Sequence, residues 1–237
     1  YLFSGMDKYR WGFFPSASVA WRISNENFIK SADFLNDLKI RASVGMLGND
    51  GVPEYAFLST YSRYGQKVGY RMVDGSAAFN PAYKPDVVPS LNLSWERYLS
   101  YNVGFDATLW DGLLGMEVDG FYNYTYDILT GQGSGFPASM GGYYPTYINY
   151  PAIDAKGVDL MVTHKNQFSL GGKPFFYGVS ASLTYSKTRW IKYKDNPEVS
   201  DNRKIVGKTY GSITGWKTDG LFRSEEEIDN SAWWGSR

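Results

Sequence analysis

A chain of 237 residues with 24 Lys and Arg against 24 Asp and Glu lacks the basic excess of a general nucleic-acid binder. The absence of cysteine excludes disulfides, thiolate metal sites and iron–sulfur clusters. A single His excludes a histidine-rich metal centre, although one His could still complete a hydrolytic triad. No apolar run approaches the roughly 18 residues of a membrane-spanning helix, a test that says nothing of membrane-spanning strands. The chain opens at Tyr1-Leu2-Phe3 without a leader pattern, as expected of a mature chain or of a piece of a longer one.

Period-two alternation dominates the sequence. Over 13–23, Ala17, Val19, Trp21 and Ile23 share one face of a predicted strand, opposite Ser16, Ser18, Ala20 and Arg22. Leu38, Ile40, Ala42, Val44 and Met46 next alternate with Lys39, Arg41, Ser43 and Gly45. Over 98–109, Leu99, Tyr101, Val103, Phe105, Ala107 and Leu109 oppose a polar set from Tyr98 to Thr108. Asp111-Gly112 is a tight-hairpin signal, and from Leu114 to Ile128 the pattern resumes with Met116, Val118, Gly120, Tyr122, Tyr124 and Tyr126. Val158, Leu160 and Val162 form a shorter run, and Phe175, Tyr177, Val179, Ala181, Leu183 and Tyr185 a last one.

Several of these runs reach about 11–15 residues, beyond the roughly 5–6 of ordinary globular strands and enough to cross a bilayer at a tilt. The second face is mostly Ser, Thr, Gly and Asn with scattered charges. Aromatic residues gather near strand ends at Trp95, Tyr98, Trp110, Tyr122 to Tyr126, Tyr185 and Trp190, where a membrane–water boundary favours amphipathic rings. A transmembrane β-barrel and a large soluble β-sandwich or barrel both satisfy this pattern. The connections separate the two. Residues 24–37, 111–112 and 168–173 are short, whereas 48–96, 130–156 and the stretch after Thr188 are long. That alternation is the rule for short periplasmic turns and long external loops.

Motifs for catalysis, metals or cofactors are nearly absent. Gly131, Gly133 and Gly135 have no strand-then-helix context for a phosphate loop, and Asp195, Glu198 and Asp201 lack the EF-hand spacing and glycine. His164 reads as an ordinary strand-end residue. Glu117, Asp119 and Asp127 share a strand face and are read as charges awaiting Arg or Lys partners rather than a hydrolytic pair. Ser224 and Glu227 have capping-box spacing for a short helix. Tyr143, Tyr144 and Tyr147 occupy the 130–156 loop, where they could stack on sugars, anchor a partner protein or fold the loop down.

An ordered set of short motifs adds a family expectation. It comprises Arg10-Trp11-Gly12-Phe13-Phe14-Pro15-Ser16, Trp21-Arg22-Ile23-Ser24, Glu26-Asn27-Phe28, Leu38 to Gly45, Gly48-Asn49, Leu93-Ser94-Trp95-Glu96, Tyr101 to Asp106, and Gly215 to Phe222. This combination resembles the C-terminal part of the barrel in SusC/RagA-type TonB-dependent outer-membrane transporters of the Bacteroidetes. The Leu before Gly48-Asn49 departs from the family's usual Thr. The resemblance implies an all-β chain that forms part of an antiparallel transmembrane barrel of about 22 strands. On that reading 1–237 is a partial barrel domain, with the plug and final strands outside it. It implies import of glycans, oligosaccharides or peptides across the outer membrane without covalent catalysis or a cofactor. The implied partners are a SusD-like surface lipoprotein, TonB through the N-terminal region, the substrate and the lipid bilayer, with no nucleic acid. The alternative is a soluble aromatic-rich β-domain that binds or hydrolyses polysaccharide.

Overall fold

The computed structural model describes residues 11–29, 32–71, 77–131, 139, 145, 147–196, 198–215 and 220–230. Ten strands form among them. They are β1 (Ser16–Arg22), β2 (Leu35–Asn49), β3 (Thr60–Arg71), β4 (Ala77–Val87), β5 (Glu96–Leu109), β6 (Leu114–Tyr126), β7 (Leu129–Gly131), β8 (Tyr147–Asn149), β9 (Ala152–Leu170) and β10 (Lys173–Lys192). A one-turn helix α1 (Glu225–Asp229) follows, and Ser224 Oγ accepts the Glu227 amide at 3.2 Å as the capping spacing predicts.

Six strands make one antiparallel sheet in the order β1-β2-β5-β6-β9-β10. Its register unites the separate alternations. Val19, Ala42, Val103, Gly120, Val158 and Tyr185 lie in one cross-strand row, and Trp21, Ile40, Phe105, Val118, Leu160 and Leu183 in another. Because side chains alternate with period two, rows of equal parity share a face. Apart from Ile23, which is buried in the turn after β1, and Ile128, which lies beyond β6, the apolar sets named from the sequence therefore fall on one face of a single sheet. The second face takes rows such as Ser18, Ser43, Asn102, Phe121, Gly157 and Ser186.

The expected barrel is corrected by this topology. The sheet is open and does not curl strongly, with β1 at one edge and β10 at the other. Six strands about 4.8 Å apart enclose less than the eight that just fit side chains inside. Closing these six on themselves would leave no room for the Lys39, Arg41, Asp106, Asp119 and Phe121 side chains of the second face.

Two further differences concern the connections. The stretch 48–96 contains the β3–β4 hairpin, and the β7–β8 pair falls across 129–149; among the described residues neither pair joins the six-stranded sheet, and a parallel bridge between Val88 and Pro145 links the two stretches. Pro81 and Pro85 within β4 disguise it as a loop, since proline cannot donate to a ladder and is confined to edges and bulges. In contrast, the Asp111-Gly112 hairpin forms where the sequence predicts it. Trp110, Asp111 and Gly112 all take positive φ, and Asn36 clamps the turn by accepting the Asp111 amide at 2.7 Å and donating to its carboxylate at 2.9 Å.

This packing leaves little interior. Ile23, Val52, Leu93 and Ala152 are the buried hydrophobic side chains among the described residues, whereas Val19, Val103, Val179, Leu183 and Tyr185 on the apolar face are each at least 60% exposed. The chain exposes 18200 Å², against roughly 11000 Å² for a compact protein of its mass.

Candidate functional site

The second face carries a charged ladder. Arg22 pairs with Asp37 at 3.2 Å, Lys39 with Asp106 at 3.4 Å, and Arg41 with Asp106 at 3.0 Å and Asp119 at 2.6 Å. Arg41 reaches Asp119 across β5, because the residue between them in the register is Gly104. A Cβ there would stand 2.3 Å from Asp119 Oδ1 and 2.7 Å from the Val118 carbonyl. Asp119 thus has the cationic partner expected from the sequence. Neutral hydrogen bonds continue the polar surface, from Ser100 Oγ to Asn123 at 2.7 Å and between Thr163 and Ser180 at 3.0 Å.

Toward the β5 N-terminal end the same face changes character. Leu47, Tyr98, Thr125, Ile153 and Trp190 share a row, and with Glu96 and Tyr210 they border a crevice of about 500 Å³. Trp190 is held by two tyrosines and by its backbone. Its ring lies 5.2 Å from that of Tyr210 and 5.1 Å from that of Tyr193, while its backbone pairs with Gly207 and Lys208. The sequence places Tyr98 and Trp190 among boundary aromatics. Tyr98 takes the polar face that its alternation with Leu99 predicts, and Trp190 likewise lies off the apolar face, one residue out of phase with Arg189. Parity along the strand was the available signal.

Above this end sits a small loop cluster. Val52 and Leu93 are buried against Ala56, Trp95, Leu129 and Tyr147. Asn149 ties the cluster together: its side-chain amide accepts from the Ser94 amide at 2.9 Å and donates to the carbonyls of Ser94 at 2.9 Å and Asp127 at 2.8 Å. Tyr147 donates its backbone N–H to Ser90 Oγ at 3.2 Å. Of the three loop tyrosines singled out, Tyr147 is a half-buried packing residue, and Tyr143 and Tyr144 lie outside the described residues.

The other candidates resolve into local structure. Asp195 accepts the Ile205 and Val206 amides at 2.9 and 3.2 Å, and Asp201 pairs with Lys204. His164 stands between Leu114 and Val179 in a row of the apolar face, its ring 5.5 Å from Tyr177. Phe14 joins motif pieces far apart in the chain. Its ring occupies the space a Cβ at Gly48 would need and meets Trp95 edge-on at 5.3 Å.

Known proteins resemble this chain in sequence and in fold. The family model described as TonB dependent receptor-like, beta-barrel matches residues 3–233. TonB-dependent receptor P39 of Formosa agariphila is 26% identical over 91% of this chain and 20% of its own length. TonB-dependent receptor SusC of Bacteroides thetaiotaomicron is 26% identical over 77% of this chain and 17% of its own. A solved structure of the RagAB peptide transporter superposes with a TM-score of 0.61 at 22% identity, covering 79% of this chain and 19% of that one. The chain spans about a fifth of the length of the curated relatives it matches.

Proposed function

Because the chain belongs to the TonB dependent receptor-like, beta-barrel family, we propose that the protein carrying it imports a glycan or peptide across the bacterial outer membrane, with energy supplied through TonB. The apolar face of the six-stranded sheet lies against lipid. The charged face, with the Tyr98–Trp190–Tyr210 crevice at one end, lies on the water side along the path of the substrate. The Val52–Leu93 loop cluster and the β3–β4 hairpin are external, where a SusD-like lipoprotein would dock. No covalent chemistry is assigned to any of these residues.

One observation carries this reading. A single register places six amphipathic alternations on one face, and that face is exposed. A soluble monomer rarely leaves a contiguous apolar patch of more than a few hundred Å² to water, whereas a lipid-facing surface requires one. The same point disfavours the soluble polysaccharide-binding alternative. Deleting the gene and measuring growth on a panel of glycans and peptides, with fractionation of the wild-type protein, tests the proposal. Recovery in the soluble fraction, or growth unchanged on every substrate, would overturn it.

A further inference from the structure

One row of the apolar face sets two like charges side by side. Lys156 of β9 and Lys187 of β10 are directly opposed, and the row continues through Tyr122 and Tyr101 to Val44 and Ala17. Both lysines are exposed. Like charges directly opposite in an antiparallel pair repel each other. Among the described residues no carboxylate pairs with either lysine, and Asp154, one row nearer the loop end, is held by Arg189 at 3.0 Å. Unlike Asp154 and Arg189, which neutralise each other, the two lysines are ammonium groups with no carboxylate partner among the described residues.

The adjoining row supplies the second observation. There Gly120 leaves a gap in the side chains between Val103 and Val158. With Tyr101, Tyr122, Tyr185 and the two lysines it borders a crevice of about 550 Å³. The backbone does not require glycine here, because a Cβ at Gly120 would find its nearest neighbour, the Val103 carbonyl, at 3.8 Å. The missing side chain thus creates a groove without relieving a clash.

We propose that this crevice binds a phosphate-bearing lipid, with the phosphate bridging Lys156 and Lys187 and an acyl chain in the Gly120 groove. A bridging phosphate replaces the repulsion with charge-assisted hydrogen bonds, which gain strength where water is scarce. Tyrosines bordering a basic pair suit the boundary depth at which a headgroup meets its acyl chains. Basic pockets on membrane proteins recognise phosphorylated headgroups by the same electrostatics. The inference rests on the membrane reading above and adds a ligand that neither the transported substrate nor a protein partner supplies.

The test uses the full-length protein in nanodiscs containing bisphosphorylated lipid A or its enzymatically dephosphorylated form, with retained lipid read by native mass spectrometry. The wild type should retain the phosphorylated form roughly thirtyfold better, the combined effect of two basic contacts at a membrane surface. The double variant Lys156→Gln/Lys187→Gln should lose that preference, and Gly120→Val should retain less of either form. Equal retention of the two lipids by the wild type, or an unchanged preference in the double variant, overturns the site. Displacement by millimolar inorganic phosphate, or full retention by Gly120→Val, makes it a free-anion site and overturns the lipid assignment. Fractionation is scored separately. Protein found in the outer membrane without the lipid preference overturns this site alone, and protein absent from that fraction overturns the membrane reading and this site with it.

Discussion

Arg41 on β2 passes over Gly104 on β5 to bind Asp119 on β6 at 2.6 Å, so that one side chain ties three strands together. The same guanidinium meets Asp106 at 3.0 Å. Both carboxylates are more buried than the arginine, which shields them in part from solvent screening.

Gly104→Ala should therefore break a bridge as well as add a methyl group. The new Cβ would stand 2.3 Å from the Asp119 carboxylate, and overpacking of this kind costs about 1–3 kcal/mol. Gly115→Ala is the control, since its Cβ would meet Thr163 at an ordinary 3.7 Å. Urea unfolding of the full-length protein from lipid vesicles should show a lower midpoint for the first variant and little change for the second. Equal midpoints would mean that the Arg41 bridge contributes nothing measurable.

Adjacent residues of β5 should differ sharply in their tolerance of charge. Val103 is 60% exposed on the apolar face, and Asn102 points to the charged one. Arg at position 103 should cost about 2–4 kcal/mol at mid-membrane depth, and Arg at position 102 much less. Folding into vesicles measures both, and similar costs would count against lipid contact at Val103.

Sidedness can be read chemically in this cysteine-free chain. Leu91 is exposed two residues before the buried Leu93 of the loop cluster, and Gln167 is exposed near the β9–β10 turn. In whole cells an impermeant thiol reagent should label Leu91→Cys and spare Gln167→Cys. After cell lysis both should react. Labelling of Gln167→Cys alone in intact cells would invert the orientation.

The loop tyrosines should separate by role. Tyr147 packs against Val52 and Leu93, so Tyr147→Ala should loosen the cluster and raise its proteolytic sensitivity, in line with the roughly 2–5 kcal/mol of large-to-small changes at packed sites and reduced by its partial exposure. The pair Tyr143→Ala/Tyr144→Ala tests contact with a partner or substrate, where a single hot-spot residue is worth upwards of about 2 kcal/mol. Co-purification with the lipoprotein and uptake of labelled substrate are the readouts. Wild-type values for both in the double variant would end the functional reading of those two tyrosines.

Alternation was legible in the sequence because burial and exposure with period two leave their mark on every residue of a strand. Val103 beside Asn102, and Leu183 beside Ser182, declare their faces without a neighbour in view. The Asp111-Gly112 turn was legible because its chemistry is local, as was the Ser224–Glu227 cap. The sheet itself was decided by pairing between segments far apart in the chain. Register set Gly104 between Arg41 and Asp119 and brought Lys156 opposite Lys187. Neither of these is fixed by one strand alone, because each depends on which residue of a second strand lies alongside. Nor does alternation say whether a sheet closes: that is determined by what its edge strands pair with, and here the tertiary structure leaves β1 and β10 at opposite edges of an open sheet.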